Sequence, residues 1–305
     1  MRNATPVRAL SGFAVDLGGT KLAAARLEAG RVVARAQTAT DGSAGPEAQI
    51  AAMAELLARL GHQRGAPLGV AVTGRLGRNG CWGAVNTGTL RRVADVPLAE
   101  MLAARFGAAR ALNDAAAAAW AEYQLGSGRG AENFLYLTVS TGVGGGLVLG
   151  RRLLDSGNGL AGHVGFVSSP DARDLCGSER RGTVESIAGG RALAVAAAAA
   201  GHPGRDARGV FTAAAVGDAW AEELVARSAR AIACLVADLT AALGLERVAL
   251  GGSIGLAPGY LDRVQTALAQ EPPLFRPELC AAALGQDSAL TGALLRALDT
   301  QETQR

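Results

Sequence analysis

The pattern of apolar and polar positions along the chain predicts alternating strands and helices. Residues 13–17 are an almost unbroken apolar run and predict a buried strand, and 21–27 and 31–36 predict two more. The first two are joined by Gly18-Gly19-Thr20, a tight glycine turn suited to a hairpin. Over 47–60 the apolar residues recur at helical spacing and stop at Gly61, a natural C-cap. Residues 68–72 predict a short strand ending in Thr73-Gly74-Arg75. A helix over 98–106, a strand over 109–112 and a helix over 114–123, opened by Asp114, follow.

Then the pattern restarts. Gly126-Ser127-Gly128-Arg129-Gly130 reads as a flexible connector, 133–139 as a strand, 140–146 as a glycine turn and 147–149 as another strand. Two strands joined by a phosphate-loop-like turn thus occur twice, at 16–21 and at 138–146. The repeat predicts two similar halves facing one cleft. The last third reads as mostly helical, over 190–200, 219–243, 260–269 and 289–298. One strand, 247–250, stands before Gly251-Gly252-Ser253. The alanine-rich run in the first of these helices reads as helix, because alanine is the best helix former.

Composition narrows the class. A chain of 305 residues, 49% hydrophobic and 19% charged, describes a soluble globular protein with ample core material. The net charge is +3 and no basic run exceeds two residues, which makes nucleic acid a weak candidate partner. The first dozen residues lack the apolar run of a leader, and no stretch reads as a membrane span. The four cysteines contain no CxxC and predict a reducing, cytoplasmic compartment. Lys21 is the only lysine. A coding bias toward arginine accounts for that, unless the turn before it needs a compact ammonium in place of a flat guanidinium.

The turns suggest chemistry. Glycines let backbone N–H groups approach a ligand, and several such groups together form an anion nest. Thr20, Ser140 and Thr141 add hydroxyl donors. The P-loop pattern GxxxxGK[ST] is absent, because Lys21 follows Thr20 and not glycine, and the dinucleotide GxGxxG pattern is not met at Gly142–Gly146. One such turn is equally well a plain hairpin; two, plus Gly251-Gly252-Ser253 after a strand, point to a polyphosphate. Phosphoryl transfer also needs a carboxylate base and a metal. Asp16 ends a strand beside the first turn and is the candidate for Mg²⁺, held through water. Asn113-Asp114 alone reads as a helix N-cap; with the turns, Asp114 reads as a base.

In this order, Asp16-Leu17-Gly18-Gly19-Thr20-Lys21, Leu112-Asn113-Asp114, Ser140-Thr141-Gly142-Val143-Gly144-Gly145-Gly146 and Gly162-His163 resemble the ROK sugar kinases over nearly the whole chain. That resemblance implies an actin/hexokinase-like ATPase fold, α/β and ribonuclease H-like, with a cleft between two domains. Residues 1–115, with the C-terminal helix 288–305 packing back, would form one domain and 116–287 the other. It further implies ATP and Mg²⁺ as cofactors, a small-molecule sugar as substrate and a homodimer. Asp114 would deprotonate the sugar 6-hydroxyl. Thr73, Gly74, Arg75, Thr89, Asn113, His163 and Glu185 would border or bind the sugar. Asp16, Gly18, Gly19, Thr20 and Lys21 would hold phosphate and Mg²⁺. Ser140, Thr141, Gly142, Gly144 and Gly145 would form a second phosphate face, and Gly251 and Gly252 would meet adenosine.

Within the family, the segments "DLGGTKLAAARL" and "GLAGHVG" look closest to the bacterial N-acetylmannosamine kinase branch. Kinases of glucose or N-acetylglucosamine are the nearest alternatives. A non-catalytic sugar sensor and a ROK repressor are more distant ones, the latter because only about a dozen residues precede the first strand. The chain also departs from the family's pattern. Many relatives hold a structural zinc with one histidine and three cysteines; here His163 and Cys176 remain, but Ser178 and Thr183 replace two cysteines. Neutral hydroxyls are poor zinc ligands, so no zinc is expected. Leu160 stands where many hexose-specific relatives carry glutamate, and Thr89 where an asparagine is frequent.

Overall fold

The computed structural model describes residues 10–86 and 88–299. The N-terminal segment read as lacking a leader lies, through residue 9, outside the described residues, as do positions 300–305 of the expected C-terminal segment. The chain splits into two compact units. One holds the chain up to Gly126, Leu153–Ala161 and the residues from Gln286 on; the other holds Ser127–Arg152 and Gly162–Gly285.

The first unit begins with strands β1 (Gly12–Leu17), β2 (Lys21–Glu28) and β3 (Arg31–Ala39) and helix α1 (Pro46–Arg59). Strand β4 (Leu68–Val72) and three short strands, β5 (Arg75–Leu76), β6 (Cys81–Gly83) and β7 (Val96–Pro97), follow. Helix α2 (Leu98–Phe106), strand β8 (Ala109–Asn113) and helix α3 (Asp114–Leu125) come next. The main sheet has the order β3-β2-β1-β4-β8, with β1–β2 antiparallel and β1–β4 and β4–β8 parallel. Every residue of β4 is buried, which is why its sequence shows no polar alternation. Val15, Leu17, Val70 and Val72 pack with Met53 and Leu57 of α1 in one core. The small sheet β5-β6-β7 was not legible in the sequence, because its strands of two or three residues are too short to show a period. Asn113, not Asp114, caps α3: its side chain accepts from the Ala116 N–H at 3.0 Å.

The second unit repeats the plan. It contains β9 (Phe134–Val139), β10 (Val143–Leu149) and β11 (Arg152–Leu153), then helices α4 (Glu185–Ala188), α5 (Gly190–Ala199), α6 (Ala207–Ala215) and α7 (Ala219–Leu243). Strand β12 (Arg247–Gly251), helices α8 (Gly252–Gly255) and α9 (Tyr260–Leu268) and strand β13 (Glu278–Ala281) complete it. The sheet order is β11-β10-β9-β12-β13, with the same antiparallel hairpin and parallel neighbour as in the first unit. Three expectations change here. The glycine turn ends at Gly142, since Gly144, Gly145 and Gly146 pair with Thr138, Leu137 and Tyr136 inside β10. Glycine is needed there for close packing: a Cβ on Gly145 would lie 2.8 Å from Val164 and 3.0 Å from the Tyr136 carbonyl. The presumed flexible connector is tethered, because the Arg247 guanidinium donates to the Ser127 carbonyl at 3.1 Å and the Arg129 carbonyl at 2.9 Å. Helix α6 was not among the helices predicted, its start lying next to the polar stretch at 202–206.

The chain returns to the first unit as α10 (Ser288–Leu298), which packs against β4 and α3 with backbones nearly touching. A Cβ on Gly69 would sit 2.1 Å from the Ala293 backbone, and one on Gly292 would sit 1.7 Å from the Ala117 carbonyl. That grip on α3 places the unit boundary after Gly126 instead of at 115. Leu153–Ala161 joins the same unit, with Gly159 against the Leu76 backbone and an Arg78–Asp155 ion pair at 2.7 Å. Among the described residues no helix is long and apolar enough to cross a membrane.

Candidate active site

Each hairpin ends in a turn with the same hydrogen-bond logic. In the first unit the Gly18 N–H donates to the Lys21 carbonyl at 2.9 Å. The carbonyls of Gly18 and Thr20 are held by the Thr40 hydroxyl (2.9 Å) and the Thr40 N–H (3.0 Å). In the second unit the Ser140 N–H donates to the Gly142 carbonyl at 2.9 Å, while the N–H groups of Gly190 (2.8 Å) and Arg191 (3.1 Å) hold the carbonyls of Ser140 and Thr141. Among the described residues, the N–H groups of Gly19 and Thr20, and of Thr141 and Gly142, donate to no protein acceptor. Backbone donors left over at two adjacent turn residues form an anion nest. Each such turn fits phosphate oxygens.

Two carboxylates stand at strand ends of the first sheet. Burial pushes Asp16 up to about 6, against the opposing pull of the Lys21 and Arg35 charges. Burial pushes Asp114 further, to about 7, with repulsion from Asp16 as the second cause. The Ala115 N–H, 2.8 Å from the Asp114 Oδ1, and Asn113 act in the opposite sense. A carboxyl that titrates near neutrality is poised to take a proton. Asp16 and Asp114 are close enough to repel each other, and two neighbouring carboxylates suit a divalent cation. Lys21 has an exposed side chain, and its charge favours the ionised form of Asp16.

The loop after β4 is fixed by three contacts. The Trp82 indole donates to the Thr73 carbonyl at 2.8 Å, and the Asn113 amide donates to the Gly74 carbonyl at 2.9 Å. A Cβ on Gly74 would meet the Gly83 carbonyl at 2.5 Å, and Gly74 has φ +96°. Arg75 pairs with Asp95 at 2.5 Å. Asn113 therefore caps α3 and holds Gly74, and its amide also favours the ionised form of Asp114. Thr89 lies against the first turn, 3.0 Å from where a Gly19 Cβ would be.

In the second unit, Glu185 accepts from the Val143 N–H and the Gly177 N–H, each at 3.1 Å. The His163 ring stacks on Phe166 with centroids 5.9 Å apart. Ser140 and Ser253 share a hydrogen bond of 3.1 Å that links the ends of β9 and β12; the sequence placed Ser253 in the Gly251-Gly252-Ser253 stretch but gave it no role of its own. Gly251 and Gly252 have no room for a side chain, their Cβ positions lying 2.4 Å from the Tyr136 hydroxyl and 2.4 Å from the Val139 carbonyl.

The segment expected to lack zinc does not fit a four-donor site. Cys176 Sγ and Ser178 Oγ bond each other at 3.1 Å. Thr183 is fully buried and exchanges hydrogen bonds with Ser186, each accepting the other's N–H. Among the described residues no group of three or more His, Cys, Asp or Glu gathers to hold a metal. Backbone pairing does the cross-linking instead, through bridges between Ser168 and Thr183 and between Leu175 and Arg181.

Duplicated sheets of this order, each with an anion-binding hairpin turn, and a near-neutral carboxyl at a strand end define a sugar-kinase type of ATPase. The chain belongs to the ROK family, whose sequence profile matches residues 12–300. The N-acetylmannosamine kinase of Escherichia coli O139:H28 (strain E24377A / ETEC) is 44% identical over 287 residues, covering 93% of this chain and 97% of that one. The ROK hexokinase of Thermus thermophilus superposes with a TM-score of 0.79 at 34% identity, over 93% of this chain and 96% of that one. A ROK glucokinase of Streptomyces griseus, solved with glucose and AMPPNP, gives a TM-score of 0.76 at 26% identity, over 93% and 98% of the two chains.

Proposed function

We propose that this chain transfers the γ-phosphoryl group of ATP to the 6-hydroxyl of N-acetylmannosamine. The observation that carries the transfer step is the Asp114 carboxyl, lifted to about 7 at the end of β8. Asp114 in its ionised form accepts the hydroxyl proton as the oxygen attacks phosphorus, and so acts as general base. Asn113, fixed by the α3 cap and by Gly74, stands beside Asp114 to hold a neighbouring sugar hydroxyl. Gly74, Arg75, Thr89, His163 and Glu185 border the sugar. The backbone donors of Gly19 and Thr20, and of Thr141 and Gly142, take phosphate oxygens, while Gly251, Gly252 and Ser253 lie toward the nucleoside. Asp16 would hold Mg²⁺, which when bound would supply neutralising charge on the phosphates. Zinc has no part in the scheme.

The choice of sugar rests on the 44% identity to an N-acetylmannosamine kinase, against 34% and 26% to a hexokinase and a glucokinase. Leu160, 44% exposed, puts an apolar group where a carboxylate would select against an N-acetyl. The setting is sialic acid and amino-sugar breakdown in the cytoplasm, as a homodimer; the four free cysteines fit a reducing compartment. ATP turnover over a panel of N-acetylmannosamine, N-acetylglucosamine and glucose tests the reading. The first sugar should have the highest kcat/KM, by about 10–200-fold, the discrimination that a one-group difference in an apolar pocket gives. A higher kcat/KM for glucose refutes the assignment.

A further inference from the structure

Glu185 is placed to do more than meet a sugar. Its two carboxylate oxygens divide their work. Oε2 accepts from the Val143 N–H at the end of the second turn, and Oε1 accepts from the Gly177 N–H in the loop after Cys176. The approach to the turn is unusually close: a Cβ on Gly142 would lie only 2.3 Å from Oε2 and 3.0 Å from Cδ of Glu185. Glycine is therefore required at 142 to admit this carboxylate. The next part of the chain grips the same turn from the other side. A Cβ on Gly189 would meet the Gly142 Cα at 3.1 Å, and Gly190 and Arg191 hold the turn's carbonyls.

We infer that Glu185 is a positioning residue for the nucleotide: its carboxylate clamps the turn at 140–143 so that the Thr141 and Gly142 N–H groups are set to receive phosphate. The turn has one N–H, that of Val143, committed to the carboxylate and two left for the ligand. Without the clamp, ordering the turn becomes a cost of binding ATP. The inference rests on the nucleotide-binding reading of that turn. It separates Glu185's effect on ATP from any contact it makes with sugar.

The test is binding of AMPPNP to the full chain by calorimetry with no sugar present, so that loss of a sugar contact has no effect. Two charge-assisted hydrogen bonds vanish in Glu185→Ala, and affinity should fall about tenfold or more. Gly142→Ala, which pushes the intact carboxylate aside, should fall by a similar factor. In the Glu185→Ala background the same Gly142→Ala change should cost less than about twofold, because the added methyl group then has room. Hydrogen exchange of the amides of Val143 and Gly177 should speed up in Glu185→Ala while the thermal midpoint stays within a few degrees of wild type. Unchanged AMPPNP affinity in Glu185→Ala overturns the clamp. So does an equal Gly142→Ala penalty in both backgrounds, which would mean that the glycine serves only the phosphate. A wild-type chain that binds AMPPNP but phosphorylates no sugar overturns the proposed function and leaves this test readable.

Discussion

Replacing Asp114 by asparagine should make the protein more stable and nearly inactive. The side chain keeps its shape, and its Oδ1 still accepts from the Ala115 N–H, but it no longer takes a proton. A general base contributes about 10²–10⁴-fold, so kcat should fall by that factor while AMPPNP binding changes little. The stability gain follows from the same burial. The carboxyl titrates near 3.8 in the unfolded chain and near 7 in the fold, so the folded state holds its proton more tightly. Stability is then highest below about pH 3.8, falls as pH rises toward 7, and levels off above it. Above pH 7 the ionised, buried form costs the native state at most about 4 kcal/mol, and less where the surroundings relax. Asparagine removes that cost. Without Mg²⁺ or nucleotide, the midpoint of Asp114→Asn should exceed the wild type's by several degrees at pH 8, and by a smaller margin at pH 5. In the wild type kcat/KM should fall on the acid side of about pH 7, where Asp114 gains its proton. Wild-type turnover in Asp114→Asn, or a midpoint difference that does not grow with pH, refutes the reasoning and leaves Asp114 a mere first residue of α3.

Lys21→Arg should raise the apparent KM for MgATP or lower kcat several-fold, since a guanidinium next to Asp16 replaces a compact charge with a fork. Steady-state kinetics unchanged in both substrates would assign the lone lysine to coding bias. Elemental analysis of the purified chain should find far less than one zinc per protein, and a zinc chelator should leave the thermal midpoint in place; a stoichiometric zinc would require donors other than Ser178 and Thr183.

The strands and helices with a clear period were legible in the sequence, and so was the doubled hairpin that points to two phosphate-binding turns. What stayed hidden has physical causes. Gly144, Gly145 and Gly146 look like turn residues, yet they pair with β9 in a strand, and at Gly145 Val164 and the Tyr136 carbonyl leave no room for a Cβ. A glycine chosen for close approach and one chosen for a turn are the same letter. Gly69 and Gly292 are of this kind too, and only α10 packed on β4 and α3 reveals why they are small. The Asn113-Asp114 pair raised the opposite difficulty. Sequence alone favours one N-cap, and the structure gives the cap to Asn113. That leaves Asp114 free of the capping role and lets its carboxyl be pushed toward neutrality by burial. Glu185's grip on Val143 and Gly177 joins residues separated by 42 and 8 positions, a pairing that no local pattern encodes.

The two sheets share an order but not a charge distribution, and the difference explains how the labour is divided. Asp16 pairs in register with Ala71, and the corresponding position of the second sheet is Thr138, opposite Gly251. Asn113 and Asp114 lie at the end of β8, whereas the matching strand β13 ends in Ala281 and is followed by Ala282. The carboxylates at these strand ends are therefore confined to the first unit. A carboxylate at Thr138 would face a polyphosphate with like charge and would carry the same burial cost that lifts Asp16 and Asp114. Under the proposed function the second turn would meet anions with neutral donors instead, the N–H groups of Thr141 and Gly142 and the hydroxyl of Ser140. Its one nearby carboxylate, Glu185, is already committed to two backbone N–H groups. One half of the duplicated plan is thus suited to proton and metal chemistry, the other to nucleotide binding. Burial raises both acids of the first unit, with repulsion from Asp16 adding to the shift of Asp114, and this lowers the unit's stability at neutral pH; under the proposed function the same burial would make Asp114 basic enough to act.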